Sequence, residues 1–252
     1  MIDYEVAGGC ATVRLNRPPV NAINDAWLAR FHGILDALEQ DPTIRVMLVR
    51  SELRSFCAGM DLDRIRELFA HSDGAAEMVA DVAEFQRLFA RIEDAPFVAV
   101  AEIEGHALGG GLELALACDL RIVSSKTKLG LPEAKLGLIP GAGGTQRLTK
   151  LCGRGTASRI ILSGEIIDGP AAERLGIVQW SVEPERLHDQ TAEIVARICT
   201  LSGAALREAK GLIAAAGAPD RDGFHEEQEA DRRLFSDTDT RGRIASFLAG
   251  NR

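Results

Sequence analysis

The stretch from Gly105 to Leu120, GHALGGGLELALACDL, sets two demands against each other. Leu112 to Ala117 consists almost wholly of strong helix formers, yet Gly109, Gly110 and Gly111 stand at its entrance. A glycine within a helix costs about 1 kcal/mol relative to alanine, so three together call for a reason other than helix stability. Glu113 alone interrupts the apolar run. Its neighbours one turn on are Leu116 and Ala117, which predicts that its carboxyl points into a dry region.

The start of a helix presents N–H groups without intrahelical partners, and together with the helix dipole they favour negative charge. Glycines at that point let a ligand reach the backbone. For a phosphate, the run matches neither GxGxxG nor GxxxxGK[ST], and no lysine follows it. A dinucleotide reading keeps only the spacing of Glu113 to Glu133, and Glu133 follows Pro132 instead of ending a strand. The other candidate is an oxygen that gains charge during a reaction, where each preset donor is worth on the order of 3 kcal/mol.

Working outward, PFVAVAEIEG delivers the chain into the glycines as a short apolar strand, and DLRIVSS leaves the helix as another. CATVRLNRP alternates as a strand and pairs through Gly8-Gly9 with IDYEVA. Asn24 and Asp25 cap a helix carrying Trp27, Phe31, Ile34, Leu35 and Leu38, and IRVMLVRS follows as a buried strand. Asp61 to Phe69 (Leu62, Ile65, Leu68, Phe69) and a longer helix (Met78, Val82, Phe85, Phe89, Ile92) read as amphipathic helices covering a core. Strands alternating with helices predict an α/β fold. After about Pro184 only helical patterns remain: Leu187–Cys199, Ser202–Ala216, Phe224–Phe235 and a last segment with Ile244, Phe247 and Leu248.

At 252 residues the chain is long enough for a sizeable core, and 46% apolar with 26% charged residues excludes a disordered tail. A net charge of −8 gives no footprint for nucleic acid or an anionic membrane, so neither is expected as a partner. Five scattered cysteines without a CxxC pair indicate neither a disulfide framework nor a metal centre and fit a reducing cytoplasm. No apolar run reaches the roughly 18 residues of a membrane span, and the N-terminus carries no export pattern.

A second carboxylate, Glu133, sits among apolar residues in LGLPEAKLGLIPGAGGTQRL, at a helical turn that Pro132 suits. Two poorly solvated carboxyls suit proton transfer, because burial and mutual repulsion keep a proton on the pair near neutral pH. Taken alone, Glu133 reads as a helix-start acid; with Glu113 and the glycines it reads as half of a site. SFCAGMDL, Ser55 to Leu62, contributes a glycine turn into the helix from Asp61.

These segments, with VRLNRPPVNAIN, ILSGEIIDGPAAERLGIV and LFSDTDTRGRIASFL, make the chain resemble the enoyl-CoA hydratase/isomerase, or crotonase, family nearly end to end. The resemblance implies a crotonase-like spiral of ββα repeats over residues 1–186 and a helical trimerisation region over 187–252. It also implies a homotrimer or a hexamer built as a dimer of trimers. The substrate implied is an acyl-CoA thioester, with coenzyme A carried on the substrate and no separate cofactor. Carried over, the thioester oxygen meets the N–H groups of Met60 and Gly110. Glu113 holds and deprotonates a water attacking C3, Glu133 protonates C2, and Gly141 N–H helps place the water. Val20, Ala22, Ala58, Asp61 and Leu62 are implied coenzyme A contacts. In two places the sequence departs from the family: RPPVNAI lacks a residue, often basic, before its asparagine, and LAGNR lacks a lysine-rich finish, for which Arg252 is a partial substitute.

Both glutamates are present, as in hydratases, so hydration of a 2-enoyl-CoA is the leading activity. The alternatives are an isomerase moving a 3-enoyl double bond into conjugation and a non-catalytic assembly or RNA-binding relative. Leu68, Met78, Leu108, Leu138, Ile139 and Phe224 are candidates for the tail pocket. Three side features take ordinary readings. The SxxK ending at Lys128 is a coincidence within a strand, His106 is a packed or hydrogen-bonded histidine, and Arg147 with Lys150 lies on a solvated helix face.

Overall fold

The computed structural model describes residues 1–216, 218 and 220–250; Arg252 lies outside them. Successive turns of the chain repeat one unit. β1 (Ile2–Ala7) and β2 (Cys10–Leu15) are followed by α1 (Asp25–Glu39), and β3 (Val46–Ser51) and β4 (Ser55–Cys57) by α2 (Leu62–Leu68) and α3 (Gly74–Asp94). β5 (Val98–Ile103) and β6 (His106–Leu108) then lead into α4 (Gly110–Ala117). β7 (Leu120–Ser124) and β8 (Lys128–Gly130) lead into a 3₁₀ turn (Glu133–Leu136) and α5 (Gly144–Ser163). β9 (Ile166–Asp168), α6 (Gly169–Arg174) and β10 (Trp180–Val182) close the strand-bearing part.

From β3 to β8 the first strand of each turn joins a six-stranded sheet ordered β1-β2-β3-β5-β7-β10 and the second a four-stranded sheet ordered β4-β6-β8-β9, while β1, β2 and β10 all belong to the larger sheet and β9 to the smaller. Pairings between successive turns are parallel, whereas the β1–β2 hairpin and β8–β9 are antiparallel. The chain therefore winds as the expected α/β spiral of ββα units.

β3, β5 and β7 read as continuously apolar because both faces of their sheet are covered. Met47, Val49, Ala99 and Ala101 face the main core, into which α1 inserts Trp27, Phe31, Ile34, Leu35 and Leu38. Val46, Leu48, Val100 and Ile122 face the other way, against Leu187, Ile194, Val195 and Ile198 of α7 (Leu187–Cys199). α8 (Gly203–Ala215), α9 (Gly223–Ser236) and α10 (Thr238–Gly250) complete the helical C-terminal region. They leave Ile213, Phe224, Phe235, Phe247 and Leu248 exposed.

The amphipathic reading of α2 and α3 is corrected in part. Phe85, Phe89 and Ile92 enter the core as expected and Leu88 joins them, but Leu62 and Phe69 are exposed, and Phe69 is 82% accessible. Ser125 to Thr127 form the turn between β7 and β8, so the SxxK does not lie within a strand. His106 is exposed and makes no side-chain hydrogen bond among the described residues, so it is not a packed histidine.

Candidate active site

The three glycines of the opening stretch are needed for different reasons. At Gly111 a methyl group would stand 1.9 Å from the Cys57 carbonyl oxygen, so α4 lies directly on β4. At Gly110 it would stand 3.0 Å from Gly59 Cα and 3.5 Å from the Met60 nitrogen. Gly109 has φ of +53°, which disfavours any other residue, and a methyl there would stand 3.0 Å from Glu133 Oε1. The glycines thus bring the start of α4, the 58–60 turn and Glu133 to one place.

Met60 and Gly110 are neighbours across this junction, and among the described residues neither N–H donates a backbone hydrogen bond. Ile23 N–H donates to Gly59 O at 2.8 Å and Asp61 N–H to Ile23 O at 3.0 Å, which fixes the peptides on either side of Met60. Asn21, buried with φ of +55°, secures this turn from beneath. Its Nδ2 donates to Ser51 Oγ at 2.8 Å and to Phe56 O at 2.9 Å, and its Oδ1 accepts from Arg17 N–H at 2.7 Å.

Met60 and Gly110 both line a 370 Å³ cavity, together with Glu113, Glu133 and Gly141. Arg64 holds its α2 and α3 walls together, with Nε 2.8 Å from Asp81 and Nη2 3.0 Å from Glu77. Glu113 is 3% accessible. Burial, offset by the Gly144 N–H donated to Oε1 at 2.7 Å and reinforced by the nearby Glu133 charge, pushes its carboxyl up from the usual range to about 7. Ala142 N–H and the Arg147 guanidinium moderate that rise. Burial also raises the Glu133 carboxyl, whose Oε2 is buried without a hydrogen-bond partner.

The donors to Glu113 are the part that sequence reasoning missed. The glycines of PGAGGT open α5 as those of LGGGLE open α4, so the helix-start argument, applied a second time, would have found Gly144. Arg147 is not on a solvated face. It donates to Ala142 O at 2.8 Å, pairs with Glu93 at 2.6 Å and lies 6.0 Å from the centre of the Phe89 ring, while Lys150 is exposed. Arg147 therefore braces the loop that holds Glu113.

Of the implied coenzyme A contacts, Ala58 and Leu62 line the cavity. Val20, Ala22 and Asp61 lie behind that wall: Val20 O accepts from Ala58 N–H, and Arg17 bridges Ala22 O and Asp61 at 2.9 and 2.7 Å. Among the tail candidates, Met78, Leu108, Leu138 and Ile139 line the same cavity. Leu68 lines an adjoining one, and Phe224, 82% accessible on α9, lines neither.

The family model described as Enoyl-CoA hydratase/isomerase matches residues 5–248. The chain belongs to the enoyl-CoA hydratase/isomerase family. It is 33% identical over 97% of its length to a short-chain-enoyl-CoA hydratase of Clostridium acetobutylicum, covering 93% of that protein. It is 36% identical over 79% of its length to a crotonyl-CoA hydratase of Syntrophomonas wolfei, covering 76% of it. A solved enoyl-CoA hydratase from Geobacillus kaustophilus superposes with a TM-score of 0.93 at 28% identity, covering 99% of this chain and 94% of that one. The spiral is the crotonase fold of this family. No helix among the described residues is long and apolar enough to cross a membrane.

Proposed function

We propose that this member of the enoyl-CoA hydratase/isomerase family is a 2-enoyl-CoA hydratase adding water across the 2,3 double bond in the syn sense. The observation that carries the reading is the pair of carboxyls, Glu113 and Glu133, lining one small cavity beside two amides that lack acceptors. In this reading the thioester oxygen accepts from Met60 and Gly110 N–H, which stabilise the enolate-like charge of the transition state. A water held by Glu113 and Gly141 N–H attacks C3 and gives its proton to the Glu113 carboxylate. The Glu133 carboxyl protonates C2 from the same side. One proton is taken up and one released, so the pair ends with the single proton it began with, and its titration belongs to both acids together.

The unpartnered Glu133 Oε2 supports a proton-transfer role, since a buried carboxylate oxygen without a donor costs stability and needs a task. Isomerisation of a 3-enoyl-CoA needs one base to move a proton between C2 and C4, and Glu133 suffices for it. The protein is proposed to act without a separate cofactor and to assemble as trimers or hexamers, which the exposed aromatics of α9 and α10 support.

The test is incubation of purified protein with 2-enoyl-CoA thioesters, following loss of the conjugated chromophore and the gain of one water by mass. Hydration that disappears in both Glu113→Gln and Glu133→Gln supports the reading, and hydration undiminished in either refutes it. Selective loss of isomerisation in Glu133→Gln, with hydration absent throughout, identifies an isomerase.

A further inference from the structure

The loop that leads into α5 carries Gly141, on the cavity wall, and the Ala142 and Gly144 N–H groups that act on Glu113. α3 holds this loop from the other side. Gln86 Nε2 donates to Gly141 O at 2.7 Å. Val82, one turn earlier on the same face of α3, abuts Gly141 so closely that a methyl group there would stand 3.3 Å from Val82 Cγ1. Val82 and Gln86 thus grip one residue at its Cα and at its carbonyl. The carbonyl of Gly141 and the N–H of Ala142 are opposite ends of one planar peptide, so a donor that fixes the first directs the second. It also polarises the peptide, which strengthens that N–H as a donor.

Resting on the reading of Glu113 as the base that takes the water's proton, we infer that Gln86 is a positioning residue: it holds the Gly141–Ala142 peptide with its N–H toward the Glu113 carboxyl and so favours the ionised form that the reaction needs. The next peptide is held in the same manner, with Arg147 donating to Ala142 O at 2.8 Å, so α3 and α5 fix successive carbonyls of the loop. Gln86 acts without a charge, which separates it from the ionisable groups around Glu113. Those are Glu133 from the 3₁₀ turn and Arg147 from α5, the latter paired with Glu93 of α3. Elsewhere on α3, Glu77 and Asp81 are paired with Arg64, and Glu84 with His32 and Arg87. α4 has no second ionisable side chain. From β4 comes the Cys57 thiol, pushed up to about 12 by burial and therefore uncharged, and β6 carries His106 at its exposed start.

Gln86 is exposed, so its replacement leaves the core intact. Gln86→Met keeps the length of the side chain and removes the donor, whereas Gln86→Lys restores one. All measurements are made in about 1 M salt, which screens the charge that lysine adds. The first readout is the titration of the Glu113 carboxyl, followed by infrared spectroscopy as the difference between each protein and its Glu113→Gln counterpart. The second is the pH dependence of 2-enoyl-CoA hydration. A carboxylate that accepts two or three N–H bonds falls by about one pH unit for each, so misaligning one of them in Gln86→Met is expected to raise the midpoint by about half a unit. Hydration then falls about threefold at pH 6 and regains the wild-type rate above the acidic limb. Gln86→Lys is expected to return both readouts to the wild type. An unmoved midpoint in Gln86→Met, including one accompanied by a uniform loss of rate at every pH, marks a merely structural contact and overturns the inference, as does an equal rise in Gln86→Lys. Either result leaves the hydratase reading standing where hydration persists. A midpoint that rises in Gln86→Met and returns in Gln86→Lys, in a protein that hydrates no 2-enoyl-CoA, upholds the positioning and removes the hydratase reading.

Discussion

Replacing Glu113 by glutamine exposes what the fold gives up to keep a carboxyl in that position. The group is buried, and its proton is held up to about 7 against an ordinary 4.5. The gap between those values corresponds to about 3 kcal/mol. The sign follows from proton binding. Between 4.5 and about 7 the folded chain holds this proton more tightly than the unfolded chain, so its contribution to stability is full below 4.5 and is lost as pH rises through 7. Glutamine has no charge to desolvate and keeps an oxygen to accept the Gly144 N–H. Glu113→Gln is therefore expected to be more stable than the wild type by about 2–3 kcal/mol at pH 8, the difference shrinking toward zero near pH 5. Urea unfolding of both proteins from pH 5 to pH 8, at matched concentration and with reversibility checked, measures it. A variant no more stable than the wild type at pH 8, or a difference that does not change with pH, refutes the argument that the carboxyl is held against its solvation.

Arg147→Met removes a positive charge that lowers the Glu113 proton affinity, so the acidic limb of the pH–rate profile is expected to move to higher pH, and an unmoved limb contradicts this. Gly109→Ala forces a side chain into φ of +53° against Glu133, with an expected loss of about 1–2 kcal/mol in urea unfolding and a fall in kcat, whereas wild-type behaviour contradicts the packing described. Native mass spectrometry is expected to give three or six copies of the 27.1 kDa chain, and a monomer at micromolar concentration contradicts the proposed assembly. On a 3-enoyl-CoA, Glu113→Gln is expected to keep any isomerisation that the wild type shows while losing hydration about 10²-fold or more, a split that product analysis reads directly.

The elements that the sequence discloses best are those whose local chemistry admits one solution. Gly8-Gly9 between alternating strands gives the β1–β2 hairpin, and Asn24, whose side chain accepts from Trp27 N–H, gives the start of α1. The opening glycines disclose a helix start left open to close approach, but not that Gly111 is required by the Cys57 carbonyl or Gly109 by Glu133, because those contacts join separate turns of the spiral. Periodicity assigns α2 and α3 an apolar face without saying what that face meets. Ile65, Met78 and Val82 share the spacing of core residues and instead form the wall of a cavity. Arg147 illustrates the same limit, since a helical arginine reads as solvated until Glu93 and Phe89 arrive from another element. The resemblance to the enoyl-CoA hydratase/isomerase family named the fold and the acids, and the coordinates add the donors that hold Glu113 in place.

The claim on which the account turns is tested most directly by a crystal structure with bound 3-hydroxybutanoyl-CoA, the expected product of crotonyl-CoA hydration. The account predicts the thioester oxygen about 2.7–3.1 Å from both the Met60 and the Gly110 nitrogen, with the Glu113 and Glu133 carboxyls on one side of C2 and C3 and the hydroxyl between them. A thioester seated away from those amides, or carboxyls on opposite sides of the two carbons, would contradict it.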